Sequence, residues 1–298
     1  MTGFYDRVLI AGAGPVGLCL ALKLAQDGVA SLVIEQLTDA NFLDQVPRAG
    51  TNHPATLEMY EDIGLYKRLE PRGIIAPLFH YWDRAKGERI AEFDHAVLKD
   101  DTKFPYVLQC ERIKIIEEAL KMAKVHPRVT VRMSTTFQSF QQKNDGVLVN
   151  VENADGKLET IRGSYLVSAE GARSIARKDL GLEFEGFTYP ERTINIEVAY
   201  DFKKHGYTER NYISDPVEYS NLFHWKGPPD RWRGPMSTGR FGRGPHRDLR
   251  RAVLRMPGRG WSGWLRGPHR PARKWRAARQ SSGASAILSS PYYIYNTD

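Results

Sequence analysis

The fold of this 298-residue chain is decided by the stretch Val8-Leu9-Ile10-Ala11-Gly12-Ala13-Gly14-Pro15-Val16-Gly17. The apolar run from Arg7 to Ala11 predicts a β-strand, and Leu18 to Gln26 has the apolar periodicity of a helix. Ala30 to Glu35 predicts a second strand. Strand, glycine turn, helix and strand within about 30 residues are the layout of a βαβ unit.

The three glycines of this stretch have the G-x-G-x-x-G spacing of dinucleotide-binding turns. Gly12 permits the tight turn, Gly14 lets a pyrophosphate approach the backbone, and Gly17 lets helix and strand pack closely. Glu35 follows about 20 residues on, where a carboxylate accepts hydrogen bonds from an adenosine ribose. An acid there favours an unphosphorylated ribose, so the unit predicts FAD or NAD rather than NADP. The alternative interpretation is a glycine turn that holds no ligand.

The formal charge of +8 belongs to one segment. Residues 1–230 hold 28 basic and 33 acidic side chains, whereas residues 231–279 hold 15 basic side chains and a single acid. The same segment contains 14 Arg, eight Gly, five Pro and four of the six Trp. The net positive charge of the whole chain therefore gives no information about what the first 230 residues bind.

A composition of 41% hydrophobic and 11% aromatic residues indicates a globular protein and excludes collagen-like, disulfide-scaffold and wholly disordered classes. Cys19 and Cys110 lie in apolar stretches and fit a reduced, cytoplasmic protein. We expect no membrane anchor, because no apolar run approaches the roughly 20 residues that a span needs. The spacing of His and Cys predicts no metal site.

The pattern after the βαβ unit continues the mixture of helices and strands. Helices are predicted over Pro54 to Ile63, Arg112 to Lys124 and from Ser174, and strands over Leu78 to Trp82, Arg89 to Phe93, Val129 to Met133, Thr135 to Phe140, Val147 to Val151, Leu158 to Arg162, Tyr165 to Ala169 and Thr193 to Tyr200. The predicted strand from Tyr165 to Ala169 is followed by a second glycine turn, Glu170-Gly171. The class predicted is α/β.

The chain resembles the class A flavoprotein aromatic hydroxylases, the para-hydroxybenzoate hydroxylase-like FAD-dependent monooxygenases. The resemblance covers roughly residues 5–233. It rests on the glycine stretch, on Pro47-Arg48-Ala49, on Gln109-Cys110-Glu111-Arg112, on Tyr165-Leu166-Val167-Ser168-Ala169-Glu170-Gly171-Ala172-Arg173-Ser174 with Arg177 and Gly181, and on Phe184-Glu185-Gly186 and Asp215-Pro216.

The resemblance implies a Rossmann-like FAD-binding domain interleaved with a β-rich substrate domain. Residues 1–75 and 108–182 would form the FAD-binding domain, residues 76–107 and 183–233 part of the substrate domain, and residues 234–298 a basic tail. The resemblance implies cofactor contacts for twelve residues, namely Gly12, Ala13, Gly14, Pro15, Val16, Gly17, Glu35, Gln36, Arg48, Gln109, Glu170 and Gly171.

Some of these implied roles have structural alternatives. Arg48 would contact the pyrophosphate or guard the flavin, or else be a solvated loop arginine. Gln109 would bond the cofactor, or only backbone at a helix start. The family usually has Asp at the position of Glu170, so the extra methylene changes the geometry of the second turn. Arg173 and Arg177 could be basic partners of this turn or only cover a helix.

The activity that the resemblance implies is hydroxylation of a small aromatic, phenolic substrate. NADH or NADPH reduces FAD, and one oxygen atom of O₂ is transferred to the ring. The sequence indicates no catalytic base, no substrate identity and no oligomeric state. A flavin dehydrogenase or halogenase of the same fold is the alternative among enzymes.

The family's third fingerprint, Gly-Asp followed by Ala, His and Pro, is absent from this sequence. We expect the C-terminal part to be missing or out of frame from about Gly234, and residues 231–298 to be largely disordered, because they have few aliphatic side chains and much like charge. The alternatives to an enzyme are a non-catalytic FAD- or nucleotide-binding fragment and a protein whose basic tail binds RNA. Nucleic acid is not the partner we favour.

Overall fold

The structure, a computed structural model, describes residues 7–43, 50–187, 193–216, 219–227 and 229–237. Arg48 and everything after residue 237 lie outside the described residues, and so do the predictions made for them. Within the described ranges, no helix is long and apolar enough to cross a membrane.

The described residues form sixteen strands and six α-helices. The strands are β1 (Arg7–Ala11), β2 (Ala30–Ile34), β3 (Thr51–Asn52), β4 (Ile74–Ala76), β5 (Leu78–Asp83), β6 (Glu88–Asp94), β7 (Val107–Gln109), β8 (Val129–Arg132), β9 (Thr136–Lys143), β10 (Gly146–Glu152), β11 (Leu158–Gly163), β12 (Tyr165–Ser168), β13 (Thr193–Val198), β14 (Arg210–Ser214), β15 (Ser220–Trp225) and β16 (Arg231–Ser237). The helices are α1 (Pro15–Gln26), α2 (Asp39–Leu43), α3 (Pro54–Asp62), α4 (Tyr66–Leu69), α5 (Arg112–Val125) and α6 (Ile175–Asp179).

The chain divides into two compact units. Unit 1 consists of Met1–Arg72 and Cys110–Gly186, and unit 2 consists of Gly73–Gln109 and Phe187–Asp298. The first unit contains the glycine stretch, and each unit has its own sheet and apolar core. The α/β class predicted from the sequence is confirmed.

Unit 1 is built on a parallel sheet with the strand order β12-β1-β2-β8. Its central strands β1 and β2 are almost entirely buried, as expected for parallel strands covered on both faces. Helices α1 and α5 pack together beside this sheet. Their buried faces carry the apolar residues spaced at three and four positions, among them Leu18, Leu22, Ile116 and Leu120.

The other face of the parallel sheet is covered by the antiparallel sheet β11-β10-β9. Its alternating residues Val147, Val149 and Val151 point into a core shared with Leu9 and Leu32. The alternation of apolar and polar residues in β10 thus matches a strand with one buried face. Unit 1 is therefore layered as helices, parallel sheet and antiparallel sheet.

Unit 2 contains a six-stranded sheet with the order β13-β16-β15-β14-β5-β6. Only β14 and β5 pair in parallel; the other neighbours are antiparallel. One face of the sheet carries a core of large side chains, including Phe202, Ile213, Leu222 and Trp232. The short strands β4 and β7 form a separate antiparallel pair.

The helices and strands predicted between residues 7 and 200 are confirmed, with their ends displaced by a few residues. The expectation that residues 231–298 are largely disordered is wrong for residues 231–237, because they form strand β16 between β13 and β15. The physical reason is that side chains of this segment contact the rest of unit 2. Trp232 is buried in the core of unit 2, and Arg231 and Arg233 both bind the carboxylate of Glu197 on β13.

Candidate functional site

The carboxyl ends of three neighbouring parallel strands meet at one edge of the sheet in unit 1. Strand β1 pairs in register with β12 on one side and with β2 on the other. The glycine turn follows β1, Glu35 follows β2, and the Ala169-Glu170 turn follows β12. The Ala169 amide donates to the Ala11 carbonyl at 2.8 Å, and the Gly12 amide donates to the Ile34 carbonyl at 2.8 Å. Ligands of open α/β sheets bind at such an edge.

The glycine turn contains two glycines that the protein's own packing requires. Gly12 has a φ of +103°, and a Cβ there would lie 2.5 Å from the Ala169 carbonyl oxygen. A Cβ on Gly17 would collide with the Gly12 carbonyl oxygen. These two positions therefore explain how the strand, turn and helix pack, but they do not by themselves indicate a ligand.

Gly14 is different, because nothing in the fold requires it. Its φ of −64° and ψ of 179° suit any residue. Among the described residues, and apart from its own atoms and its two chain neighbours, no heavy atom lies within 4 Å of the position that its Cβ would take. Open space beside a glycine at the start of a helix is what close approach of a pyrophosphate to the backbone requires.

The start of α1 offers hydrogen-bond donors at the same place. Gly14 is the N-cap residue and has no side chain that could cap the helix, and Pro15 has no N–H group. The first intrahelical bond is donated by Leu18 to the Gly14 carbonyl, so the N–H groups of Val16 and Gly17 have no acceptor within the helix. Val16 is 68% exposed. The positive end of the helix dipole therefore faces an open surface, a favourable place for phosphate.

Glu35 is buried beside this turn, with 8% of its surface exposed. One carboxylate oxygen accepts from the Ala13 amide at 2.9 Å, and the other accepts from the Leu37 amide at 3.0 Å. A carboxylate has about four acceptor positions, so it can fix the turn and still accept from ribose hydroxyls. Gln36, the next residue, is exposed.

The second turn is held by its own acid. One carboxylate oxygen of Glu170 accepts from the hydroxyls of Ser168 and Ser174 at 2.8 and 2.9 Å. The other accepts from the Ile175 amide at 3.0 Å, at the start of α6. These contacts are all local, so the longer side chain closes the turn on its helix. Gly171 has a φ of +79° and open space where a Cβ would lie, as judged from the described residues.

The remaining predicted residues belong to other elements or flank the second turn. Gln109 is the last residue of β7 in unit 2 and is completely buried. Arg112 begins α5. Arg173 is exposed, and Arg177 donates to the Ala172 carbonyl at 2.7 Å and lies over the Phe184 ring. Arg177 thus contacts the chain on both sides of α6.

A buried junction next to the Arg48 motif was not predicted from the sequence. A Cβ on Gly50 would collide with the Cys110 backbone, and the Cys110 amide donates to the Gly50 carbonyl at 2.8 Å. The buried amide of Asn52 donates to the carbonyls of both residues, and the Tyr60 hydroxyl donates to Asn52. This junction ties Gly50 to Cys110, which lies two residues before the start of α5. The glycine after Pro47-Arg48-Ala49 was its only signal in the sequence.

The two cysteines are sheltered within unit 1. Burial raises the pKa of Cys19 and of Cys110 to about 11. Thiols with so high a pKa hold almost no thiolate at neutral pH and are poor nucleophiles. We therefore assign them a packing role.

The site residues fit a dinucleotide, because an open approach at Gly14, free first-turn amides and a buried acid lie at adjacent strand ends. Such an arrangement defines a dinucleotide-binding α/β protein of the Rossmann type. Comparison with known families makes this specific, since the family described as FAD binding domain matches residues 5–228. The chain belongs to this family, so FAD rather than NAD is the cofactor of the site.

Characterised relatives share this part of the chain. Para-nitrophenol 4-monooxygenase from Pseudomonas sp. (strain WBC-3) is 33% identical over 216 residues, which are 72% of this chain and 52% of the relative. 6-Hydroxy-3-succinoylpyridine 3-monooxygenase from Pseudomonas putida (strain DSM 28022 / S16) is 29% identical over 213 residues, 71% of this chain and 53% of the relative. The chain thus spans about half the length of these proteins.

A solved structure agrees with the fold. The crystal structure of p-nitrophenol 4-monooxygenase from Pseudomonas putida DLL-E4 superposes with a TM-score of 0.75 at 30% identity. The match covers 84% of this chain and 61% of that one. The resemblance to the FAD-dependent aromatic hydroxylases is therefore confirmed at the level of the family.

Proposed function

We propose that this chain carries the FAD-binding and substrate-sheet part of a monooxygenase that hydroxylates a phenolic substrate with NADH or NADPH and O₂. The observation that carries the proposal is the open approach to the backbone at Gly14, next to the uncapped start of α1, in a chain of the FAD binding domain family. The relative named for para-nitrophenol supports the substrate class.

The residues of the sheet edge have separate tasks in this proposal. The amides of Val16 and Gly17 and the helix dipole of α1 neutralise the pyrophosphate. Glu35 orients the adenosine ribose while holding the glycine turn closed. Gly171 gives the second turn an open surface toward the cofactor. Arg48, Gln36 and Gln109 remain proposed contacts on the strength of the family resemblance.

FAD supplies the redox chemistry when bound, because no protein side chain activates O₂ for transfer to an aromatic ring. The protein has to position the ring, exclude water and balance charge around the reacting atoms. A flat aromatic substrate needs a surface of aromatic side chains for this, and the sheet of unit 2 offers one. We do not assign a catalytic base.

The first test is cofactor binding by the full chain. Titration of FAD with the purified protein should quench or shift flavin fluorescence to a one-to-one end point. Oxidation of NADH and of NADPH in air is then followed with and without 4-nitrophenol. Stimulation by the phenol, coupled to O₂ consumption and a hydroxylated product, supports the proposal. Binding of FAD without any stimulated oxidation would contradict it.

A second candidate is an FAD-binding protein without turnover. The matched part of the chain corresponds to 52% and 53% of the two named relatives and includes the FAD-binding turns. In that case FAD binds with the same dependence on Gly14, but NAD(P)H oxidation stays at the rate of free flavin. The same two assays therefore separate the two functions.

A further inference from the structure

The helical layer of unit 1 holds an open groove of about 470 Å³. Its apolar lining comes from α1, from α5 and from the turn between α3 and α4, and it includes Leu22, Ile63, Met122 and Val125. Small-molecule sites have volumes of about 300–1,000 Å³ and mostly apolar linings. The groove therefore has the size and the lining of a ligand site.

Three helices end at this groove. Gln26 is the last residue of α1, Asp62 is the last residue of α3 and Val125 is the last residue of α5, and all three line the groove. The carboxyl end of a helix carries a partial negative charge, which favours a cation beside it. Because the three dipoles point their negative ends at one place, the groove favours positive charge.

Side chains of α1 and α3 form one wall of the groove. The Gln26 side-chain amide donates to the Asp62 carbonyl at 3.0 Å, which ties the two helix ends together. Lys23 Nζ lies 3.0 Å from the Asp62 carboxylate and 3.3 Å from that of Asp27, so one cation is shared by two acids. A carboxylate has about four acceptor positions, so Asp62 can keep Lys23 and still accept from a ligand.

Two basic side chains, Arg68 and His126, also line the groove. Arg68 lies 3.6 Å from the carboxylate of Glu118 on α5. His126 accepts the Arg128 amide on Nδ1 at 3.2 Å, and an imidazole that accepts there carries no net charge. Among the described residues that line the groove, Arg68 is therefore the charge that opposes a cationic ligand.

We propose that the groove binds a small apolar amine in its ammonium form, an alkyl- or arylammonium ion. Its hydrocarbon part would pack on Leu22, Ile63 and Met122, and its ammonium group would lie at the helix ends and donate to Asp62. Helix α1 begins at the glycine turn and is roughly 18 Å long, so the amine and the cofactor would lie at opposite ends of it. The site is independent of the proposed function.

The probes are benzylamine, benzyl alcohol and benzoate, which are similar in size and are cationic, neutral and anionic at pH 7. Each is titrated into the full chain with FAD in excess, and the ¹³C-methyl signal of Met122, assigned through Met122→Leu, reports binding by NMR. Benzylamine should bind about tenfold more tightly than benzyl alcohol, because each helix end favours the positive charge, and benzoate should bind most weakly. Equal binding of benzylamine and benzyl alcohol would overturn the proposal.

Two substitutions should change the affinity for benzylamine in opposite directions. Asp62→Asn removes the acid of the groove and should weaken binding about fivefold, whereas Arg68→Met removes the opposing cation and should strengthen it about threefold. Both side chains are 53% exposed, so both variants should fold. Binding of benzyl alcohol should stay the same in each. Unchanged binding of benzylamine by both variants, or a change in the same direction, would overturn the assignment.

The matched control is Asp145→Asn, in the turn between β9 and β10. Asp145 is 71% exposed and pairs with Arg162, so the substitution removes the same charge from unit 1 but from the antiparallel sheet instead of the helical layer. The affinity for benzylamine should stay within 1.5-fold of wild type, an order-of-magnitude allowance for screened charges. A loss as large as that of Asp62→Asn would attribute the preference to net charge and overturn the assignment.

Val125→Trp tests the position of the ligand. Val125 is 82% exposed, so a larger side chain there leaves the core intact and obstructs the groove. Binding of benzylamine should fall at least fivefold, whereas FAD titration should be unchanged. An amine that displaces FAD, or that leaves the Met122 signal in place, would bind elsewhere and overturn the proposal. These outcomes hold whether or not a phenol stimulates NAD(P)H oxidation, so they are separate from the test of the proposed function.

Discussion

The glycine turn makes opposite predictions for two neighbouring glycines. Gly12→Ala introduces a Cβ at a φ of +103° and 2.5 Å from the Ala169 carbonyl oxygen. The backbone conformation costs about 1–2 kcal/mol, and displacing packed backbone costs about 1–3 kcal/mol more. For units of this size, a loss of about 2–5 kcal/mol lowers the melting temperature of the FAD-free protein by roughly 4–20 °C.

Gly14→Ala should behave in the opposite way. The conformation at this position is open to any residue, and the described residues leave the Cβ position empty. A gain of about 0.4–1 kcal/mol from reduced freedom in the unfolded chain is offset by the poor capping preference of Ala. The melting temperature without FAD should therefore change little, whereas FAD affinity should fall at least tenfold because the methyl group occupies the path of the pyrophosphate.

The assay is a pair of measurements on each variant, thermal unfolding of the FAD-free protein by circular dichroism and FAD titration by fluorescence. Gly14→Val extends the series with a larger side chain and should abolish FAD binding. The reasoning is refuted if Gly14→Ala binds FAD as tightly as wild type. It is also refuted if Gly12→Ala melts at the wild-type temperature.

Three further substitutions or conditions test the rest of unit 1. Asn52→Ala should destabilise the fold by about 1–3 kcal/mol in urea titrations, because two buried carbonyls lose their donor. Cys19 and Cys110, whose burial raises each pKa to about 11, should resist a thiol reagent at pH 8 and react when urea unfolds the chain. Hydrogen bonds from Lys121 and from Arg72 lower the pKa of Glu117, so the stability they provide is present above the carboxyl's ordinary pKa near 4.5 and is lost as the pH falls through its lower folded value. Arg72→Met should therefore flatten the fall in stability between pH 5 and pH 3, measured by urea unfolding.

Local structure was largely predictable because short-range patterns fix it. The βαβ unit follows from an apolar run, three spaced glycines and a helical stripe, all within one stretch of chain. The meander β9 to β11 follows from alternating residues and turns that tolerate positive φ. In these segments the residues that make the structure are neighbours in sequence.

The strands β14 to β16 were missed because their signals are weak or mixed. Strand β16 contains Arg, Gly and Pro, and its pairing depends on partners on β13 and β15 rather than on its own alternation. The local role of Glu170 was also missed, since three of the four hydrogen bonds that it accepts come from the start of α6, which only the folded turn brings within reach.

The sequence by itself determined the dinucleotide turn, the acid after the second strand and the α/β class, because each depends on spacing along the chain. Only the tertiary structure decided which glycine leaves room for a ligand and which is required by packing. Gly12 meets the backbone of Ala169, which lies more than 150 residues away in the chain. The pairing of Arg231 and Arg233 with Glu197 was decided in the same way, since these side chains meet only because β16 lies beside β13 in the folded sheet.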